Sequence, residues 1–155
     1  MIDLLSLMAF HAAYADTIDS DRLEQWPDFF APDALYRITH VENEQQGLPA
    51  GIVWADSRAM LEDRVAALRE ANIYERQRYR HIVGLPMVLG REGSASIVEV
   101  PFLIVRIMGD GAMSLFATGC YRDKVTTDAA GDLRFAERIV VCDGARFVTL
   151  VAIPL

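Results

Sequence analysis

The chain has 155 residues, 52% hydrophobic and 24% charged, with a formal net charge of −7. That length can bury about two thirds of the unfolded surface in one core, and the apolar content excludes disorder. The acidic balance excludes nucleic acid as a partner, because phosphate binding relies on clustered Lys and Arg that release counterions.

Asp3 caps a predicted helix over Leu4–Ala15, with Leu4, Leu7, Met8, His11 and Tyr14 or Ala15 recurring at three- and four-residue steps. Asp19 or Ser20 opens a second, short helix through Arg22–Trp26, which Pro27 stops because its ring removes a donor. Phe29-Phe30-Ala31-Pro32 reads as an aromatic plug into a turn, followed by a strand over Leu35–Val41 and a polar loop over Glu42–Gly51. Asp56 or Ser57 caps a third helix, Arg58–Ala71, with Leu61, Val65 and Leu68 on one face and an Arg58–Glu62 pair on the other.

The period then changes. Ser96–Met108 is nearly continuous Val, Ile, Leu and Phe, which predicts a buried strand. Gly109-Asp110-Gly111 supplies positive-φ positions for a hairpin into Ala112–Thr126, Asp128–Asp132 turns the chain again, and strands over Leu133–Asp143 and Phe147–Ile153 follow. Helices first and a meander of four or five long strands afterwards is an α+β arrangement in one domain, residues 1–155, its sheet curled around the helices with Gly84, Pro101 and Gly119 as bend or bulge points.

No apolar run reaches the ~20 residues of a membrane span. Cys120 and Cys142 lie in separate apolar segments, and the chain opens without a cationic leader, so free buried thiols in the cytoplasm are expected. His11, His40 and His81 are each alone in their segments, without HxxxH or HExxH spacing, so no metal site is expected. Nucleophile elbows and phosphate-cradling glycine loops are not found. Acid–base work in a cavity could draw on Tyr14, Asp16, Tyr36, His81, Glu99 and Glu137, although Glu99 and Glu137 alternate with apolar neighbours as solvent-facing strand residues do.

The densest cluster of functional side chains is Asn72–Pro86. If extended, it puts Arg76, Arg78 and Arg80 on one face and Gln77, Tyr79 and His81 on the other. The cationic face is either simply solvated or an interface. Arg and Tyr are enriched where partners bury surface, which favours the interface.

Several segments resemble the small (beta) subunits of bacterial aromatic-ring-hydroxylating dioxygenases: Ala12–Ala15, Glu24–Phe30, Ala50–Ser57, Leu68–Arg76, Arg78–His81 and Glu137–Ile139. The resemblance spans nearly the full length and implies a nuclear-transport-factor-2-like cone, with helices laid into a strongly curved, mostly antiparallel sheet. It also implies a non-catalytic structural subunit of an enzyme that cis-dihydroxylates an aromatic carboxylate, with three large and three small subunits. No cofactor is then expected in this chain. The Rieske [2Fe–2S] cluster and mononuclear Fe(II) would lie in the large subunit, served transiently by a reductase. On that reading Arg76, Arg78, Tyr79, Arg80, His81 and Trp54 are interface candidates. The same cone also hosts isomerases, dehydratases and cyclases, so a free-standing cavity enzyme is the alternative.

Overall fold

The computed structural model describes residues 1–47, 53–71, 76–144 and 153–155. The predicted strand over Phe147–Ile153 and the Asn72–Glu75 start of the Arg/Tyr cluster lie almost wholly or wholly outside them. Helix α1 spans Leu4–Asp19, and the Asp3 carboxylate accepts from the Ser6 backbone N–H at 2.9 Å. It runs a turn past the predicted end because its terminus is closed by two reverse bonds, Asp21 N–H to Ile18 O and Arg22 N–H to Thr17 O. Asp21 takes the left-handed position (φ 59°) that glycine usually fills. The buried face is Leu7, His11, Tyr14, Ala15, Thr17 and Ile18, whereas Leu4 and Met8, expected on it, are exposed.

The second helix differs from expectation. It is a 3₁₀ helix, Leu23–Phe29, and it continues through Pro27, whose ring is buried. Strand β1 (Phe30–His40) starts at the aromatic plug instead of after it. The predicted polar loop contains a short helix, α2 (Val41–Gln45), and is followed by a strand, β2 (Val53–Ala55). Helix α3 covers Arg58–Ala71, capped by the Ser57 hydroxyl, which accepts from Met60 N–H at 3.2 Å. Arg58 does not use Glu62. Its guanidinium reaches back to the Phe30 carbonyl and fastens α3 to β1, with Nε donating at 2.8 Å.

Five further strands are β3 (Gln77–Val83), β4 (Met87–Glu92), β5 (Ala95–Met108), β6 (Met113–Thr127) and β7 (Leu133–Cys142). Among the described residues, these strands with β1 and β2 form one seven-stranded sheet in the order β2-β1-β7-β6-β5-β3, with β4 also on β5, and it does not close on itself. Pairing is antiparallel except between β1 and β7, which run parallel.

The bulges are not at the expected bend points. In the antiparallel pairs the register shifts leave Leu89 in β4, Phe116 in β6 and Ala136 in β7 as extra residues, and the parallel β1–β7 pair shifts between Phe30 and Leu35. Gly119 stays in register with Phe102 and Cys142. It is needed for close approach, since a Cβ there would meet the Val141 carbonyl oxygen at 2.1 Å. Pro101 falls where β5 changes edge partner, because β4 pairs up to Glu99 and β3 begins at Phe102, so its missing N–H costs no ladder bond to either. Of the hairpin glycines, Gly111 alone of the first turn has positive φ (89°), while Gly109 N–H donates to Arg76 O at 3.1 Å.

Candidate functional site

The concave face of the sheet receives α1 and is filled to its centre. Trp26, Phe30, Tyr36, Tyr14, Tyr121 and Phe135 are all essentially out of solvent, and their rings meet mostly edge to face, for example Trp26 and Tyr36 at 5.3 Å between centroids. Among these rings lies Arg138, fully buried, with its guanidinium carbon 3.8 Å from the Tyr121 centroid, 4.0 Å from Phe135 and 4.3 Å from Tyr14. Arg138 donates from Nε to Asp123 Oδ1 at 2.8 Å and from Nη2 to Oδ2 at 2.7 Å. His11 Nδ1 donates to the Leu7 carbonyl at 2.8 Å, and Nε2 lies 2.9 Å from Asp123 Oδ2. Burial opposes the charge on Asp123. The adjacent Arg138 guanidinium and the bonds from Arg138 and His11 outweigh it and hold the carboxyl below its usual range.

This triad was not anticipated. His11 looked isolated, and Asp123 sits in Tyr121-Arg122-Asp123-Lys124-Val125, where adjacent charges hide which one points inward. The extra residue Ala136 in β7 lets both Phe135 and Arg138 face the core, a parity that simple alternation does not predict.

Of the acid–base candidates, only Tyr14 and Tyr36 come together, and no carboxylate or histidine candidate joins them. Tyr14 and Tyr36 hydroxyls both donate to the main-chain oxygen of Leu155, at 2.8 and 3.1 Å, and burial raises both phenols above their usual pKa. Asp16 is exposed on α1 and paired with Arg22. Glu99 lies outside, 3.4 Å from Arg122. Glu137 stands opposite Lys124 on the same outer face. His81 is clamped by Asp19, whose Oδ1 accepts from Nδ1 at 2.6 Å and whose Oδ2 accepts from the His81 backbone N–H at 2.8 Å.

The interface candidates divide. Strand β3 alternates as predicted, so Arg78 and Arg80 face out while Tyr79 and His81 are buried at 2% and 6% exposure and present no side chain to a partner. Arg76 and Trp54 are exposed, and Arg80 comes only to 4.0 Å from Asp19. The sequence reading missed an apolar strip continuing the same edge, formed by exposed Ile82, Leu85, Met87, Val88 and Leu89. Among the described residues, no group of three or more His, Cys, Asp or Glu side chains could hold a metal ion, and no helix is long and apolar enough to cross a membrane.

An open curved sheet wrapped on α1, with a packed interior, defines a cone of the nuclear-transport-factor-2-like fold. The ring hydroxylating beta subunit family model matches residues 13–148, and the chain belongs to that family, as components of dioxygenases. It is 54% identical over 155 residues, 100% of both chains, to beta subunit 1 of the terminal oxygenase component of terephthalate 1,2-dioxygenase from Comamonas. It is 40% identical over 143 residues to the anthranilate 1,2-dioxygenase small subunit of Burkholderia cepacia, covering 92% of this chain and 88% of that one. A crystal structure of an aromatic-ring-hydroxylating dioxygenase beta subunit from Novosphingobium aromaticivorans matches with a TM-score of 0.89 at 36% identity, covering 98% and 96% of the two chains.

Proposed function

We propose that this chain is the non-catalytic small subunit of a terephthalate 1,2-dioxygenase terminal oxygenase, built of three large and three small subunits in the cytoplasm. The large subunit would carry the Rieske [2Fe–2S] cluster and mononuclear Fe(II). A reductase would supply electrons transiently for cis-dihydroxylation of the aromatic carboxylate. The observation that carries this reading is identity along the whole of both chains with the Comamonas subunits, higher than with the anthranilate relative. The interior supports it, because a cone filled by rings and closed ion pairs suits a scaffold better than a reaction vessel.

The role of the chain is then to hold large subunits in place. The β3–β4 edge suits that task, since it joins outward Arg78 and Arg80, with Arg76 at its end, to the apolar strip Ile82–Leu89. A contiguous apolar strip on a small protein marks an interaction surface, and guanidinium groups at its border can pair with carboxylates of a partner. Trp54 on β2 lies at the opposite edge of the sheet and offers a second contact.

Co-expression with the large subunit tests the reading. A heterohexamer by mass photometry that dihydroxylates terephthalate faster than anthranilate is the expected result. Turnover by this chain alone, or full activity of the large subunit without it, would overturn it.

A further inference from the structure

The centre of the cone is closed by the chain itself. Ile153 and Leu155 are buried in its core, Leu155 with no exposure at all. The Leu155 main-chain oxygen accepts from the Tyr14 hydroxyl at 2.8 Å and from the Tyr36 hydroxyl at 3.1 Å, and its N–H donates to the Tyr36 oxygen at 3.3 Å. Two phenols from different elements, α1 and β1, converge on one oxygen. Two further buried donors have no hydrogen-bond partner: Trp26 Nε1, and Arg138 Nη1, left over when Nε and Nη2 engage Asp123. Burial raises the Tyr14 phenol, and Arg138 and Trp26 offset part of that shift, which places both donors beside its hydroxyl. Leaving buried donors unpaired is costly, so an occupant that satisfied them would gain what the fold forgoes.

These donors fix the chemistry of that occupant. Guanidinium and indole groups only donate, and burial raises the phenols of Tyr14 and Tyr36, so both keep their protons. An ammonium would meet donors and the Arg138 cation. A carboxylate offers two acceptor oxygens, one for the two phenols, as Leu155 does, and one for Arg138 Nη1 and Trp26 Nε1. The Leu155 side chain is part of the apolar core, so the body that replaces it is a branched alkyl group of similar size.

We propose that residues 153–155 are a plug held in a latent binding site for a small aliphatic carboxylate, with Tyr14 and Tyr36 donating to one of its oxygens and Arg138 and Trp26 to the other. The seated plug keeps the interior closed, and its release opens the site. Binding here involves no chemical step and does not depend on the assembly role.

The full-length chain with Leu155→Gly tests it, titrated with 4-methylpentanoate, which joins the branched body of a leucine side chain to a carboxylate. The thermal midpoint should fall on substitution and rise saturably with the acid, while 4-methylpentylammonium leaves it in place. Adding Tyr14→Phe should weaken the acid about 3–10-fold, the value of one hydrogen bond. The parent chain, with its plug seated, should show no saturable shift. If Leu155→Gly is unfolded alone, recovery of native tryptophan fluorescence with the acid and not with the ammonium compound is the supporting result. An unchanged midpoint in Leu155→Gly, no response to the acid, an equal response to the ammonium compound, equal acid affinity after Tyr14→Phe, or saturable binding to the parent chain would each overturn the proposal. Hexamer formation by the parent chain, measured separately, decides the assembly reading.

Discussion

Arg138 on β7 and Asp123 on β6 are neighbours in register and share two hydrogen bonds of 2.8 and 2.7 Å with no exposure of either side chain. A bidentate pair this deep holds only while both members are present, because either charge alone would be desolvated without compensation. Arg138→Met or Asp123→Asn should therefore cost about 3–5 kcal/mol in urea unfolding. Arg138→Lys should recover little, since an ammonium can neither form the fork nor lie flat among Tyr14, Tyr121 and Phe135. The double variant Asp123→Leu with Arg138→Met should be more stable than either single change. A smaller loss than ~1 kcal/mol in both single variants would mean that the pair is dispensable.

Acid should weaken the fold through the same carboxylate. Asp123 has a depressed pKa in the folded state, so its contribution is complete above the ordinary carboxylate value of ~3.9 and is lost as pH falls through the lower folded-state value. The urea midpoint should stay level near neutrality and fall below about pH 4, and Asp123→Asn should flatten that fall. Superimposable slopes would assign the acid sensitivity to other carboxylates.

Gly119→Ala should destabilise the β6–β7 pairing, because the added methyl meets main-chain oxygen that no rotamer change can move. A loss of ~1–3 kcal/mol is expected from overpacking of this kind. Gly90→Ala, which would meet nothing within 4 Å, is the control that should leave the unfolding midpoint near that of the parent chain.

The two thiols should react at different rates. Burial pushes Cys142 up to about 12, and Cys120, only partly buried, is raised as well. Because the thiolate is the reactive form, iodoacetamide at neutral pH should label Cys120 first and Cys142 only on unfolding. Mass spectrometry over a time course reads the order, and simultaneous labelling would contradict the buried placement of Cys142.

If the proposed hexamer uses this edge, Arg78→Ala with Arg80→Ala should weaken it while leaving the chain folded, since both side chains point to solvent and neither supports the core. Loss of a paired interfacial charge costs ~2–5 kcal/mol, enough to show as dissociation in mass photometry. Tyr79→Phe, altering a residue that faces inward, should leave the hexamer mass unchanged.

Local rules reach far into this fold. The Asp3 cap, the Arg58–Ala71 helix, the long β5–β6 hairpin and the alternation of β3 all follow from residue types within a few positions of one another. Strand β4 escapes such rules because Met87-Val88-Leu89 is apolar without alternation and exposed throughout, so neither a core nor a surface pattern marks it. The Arg138 centre escapes for a different reason. His11 and Asp123 are adjacent only after the whole sheet has formed, and Ala136 shifts the inward parity of β7. The position of Asp19 against His81 likewise depends on how α1 crosses β3.

The parallel pairing of β1 with β7 constrains how the chain can be made. Leu35 finds its partner at Glu137, so a strand synthesised early stays without its principal neighbour until β7, more than 90 residues later, has left the ribosome. In that interval Tyr36 and Ile38, fully covered in the finished structure, have nothing on that side to cover them. Folding is therefore weighted toward late, long-range closure, which is slow and exposed to aggregation. Truncation before β7 should leave the remaining chain as a chaperone client instead of a stable intermediate.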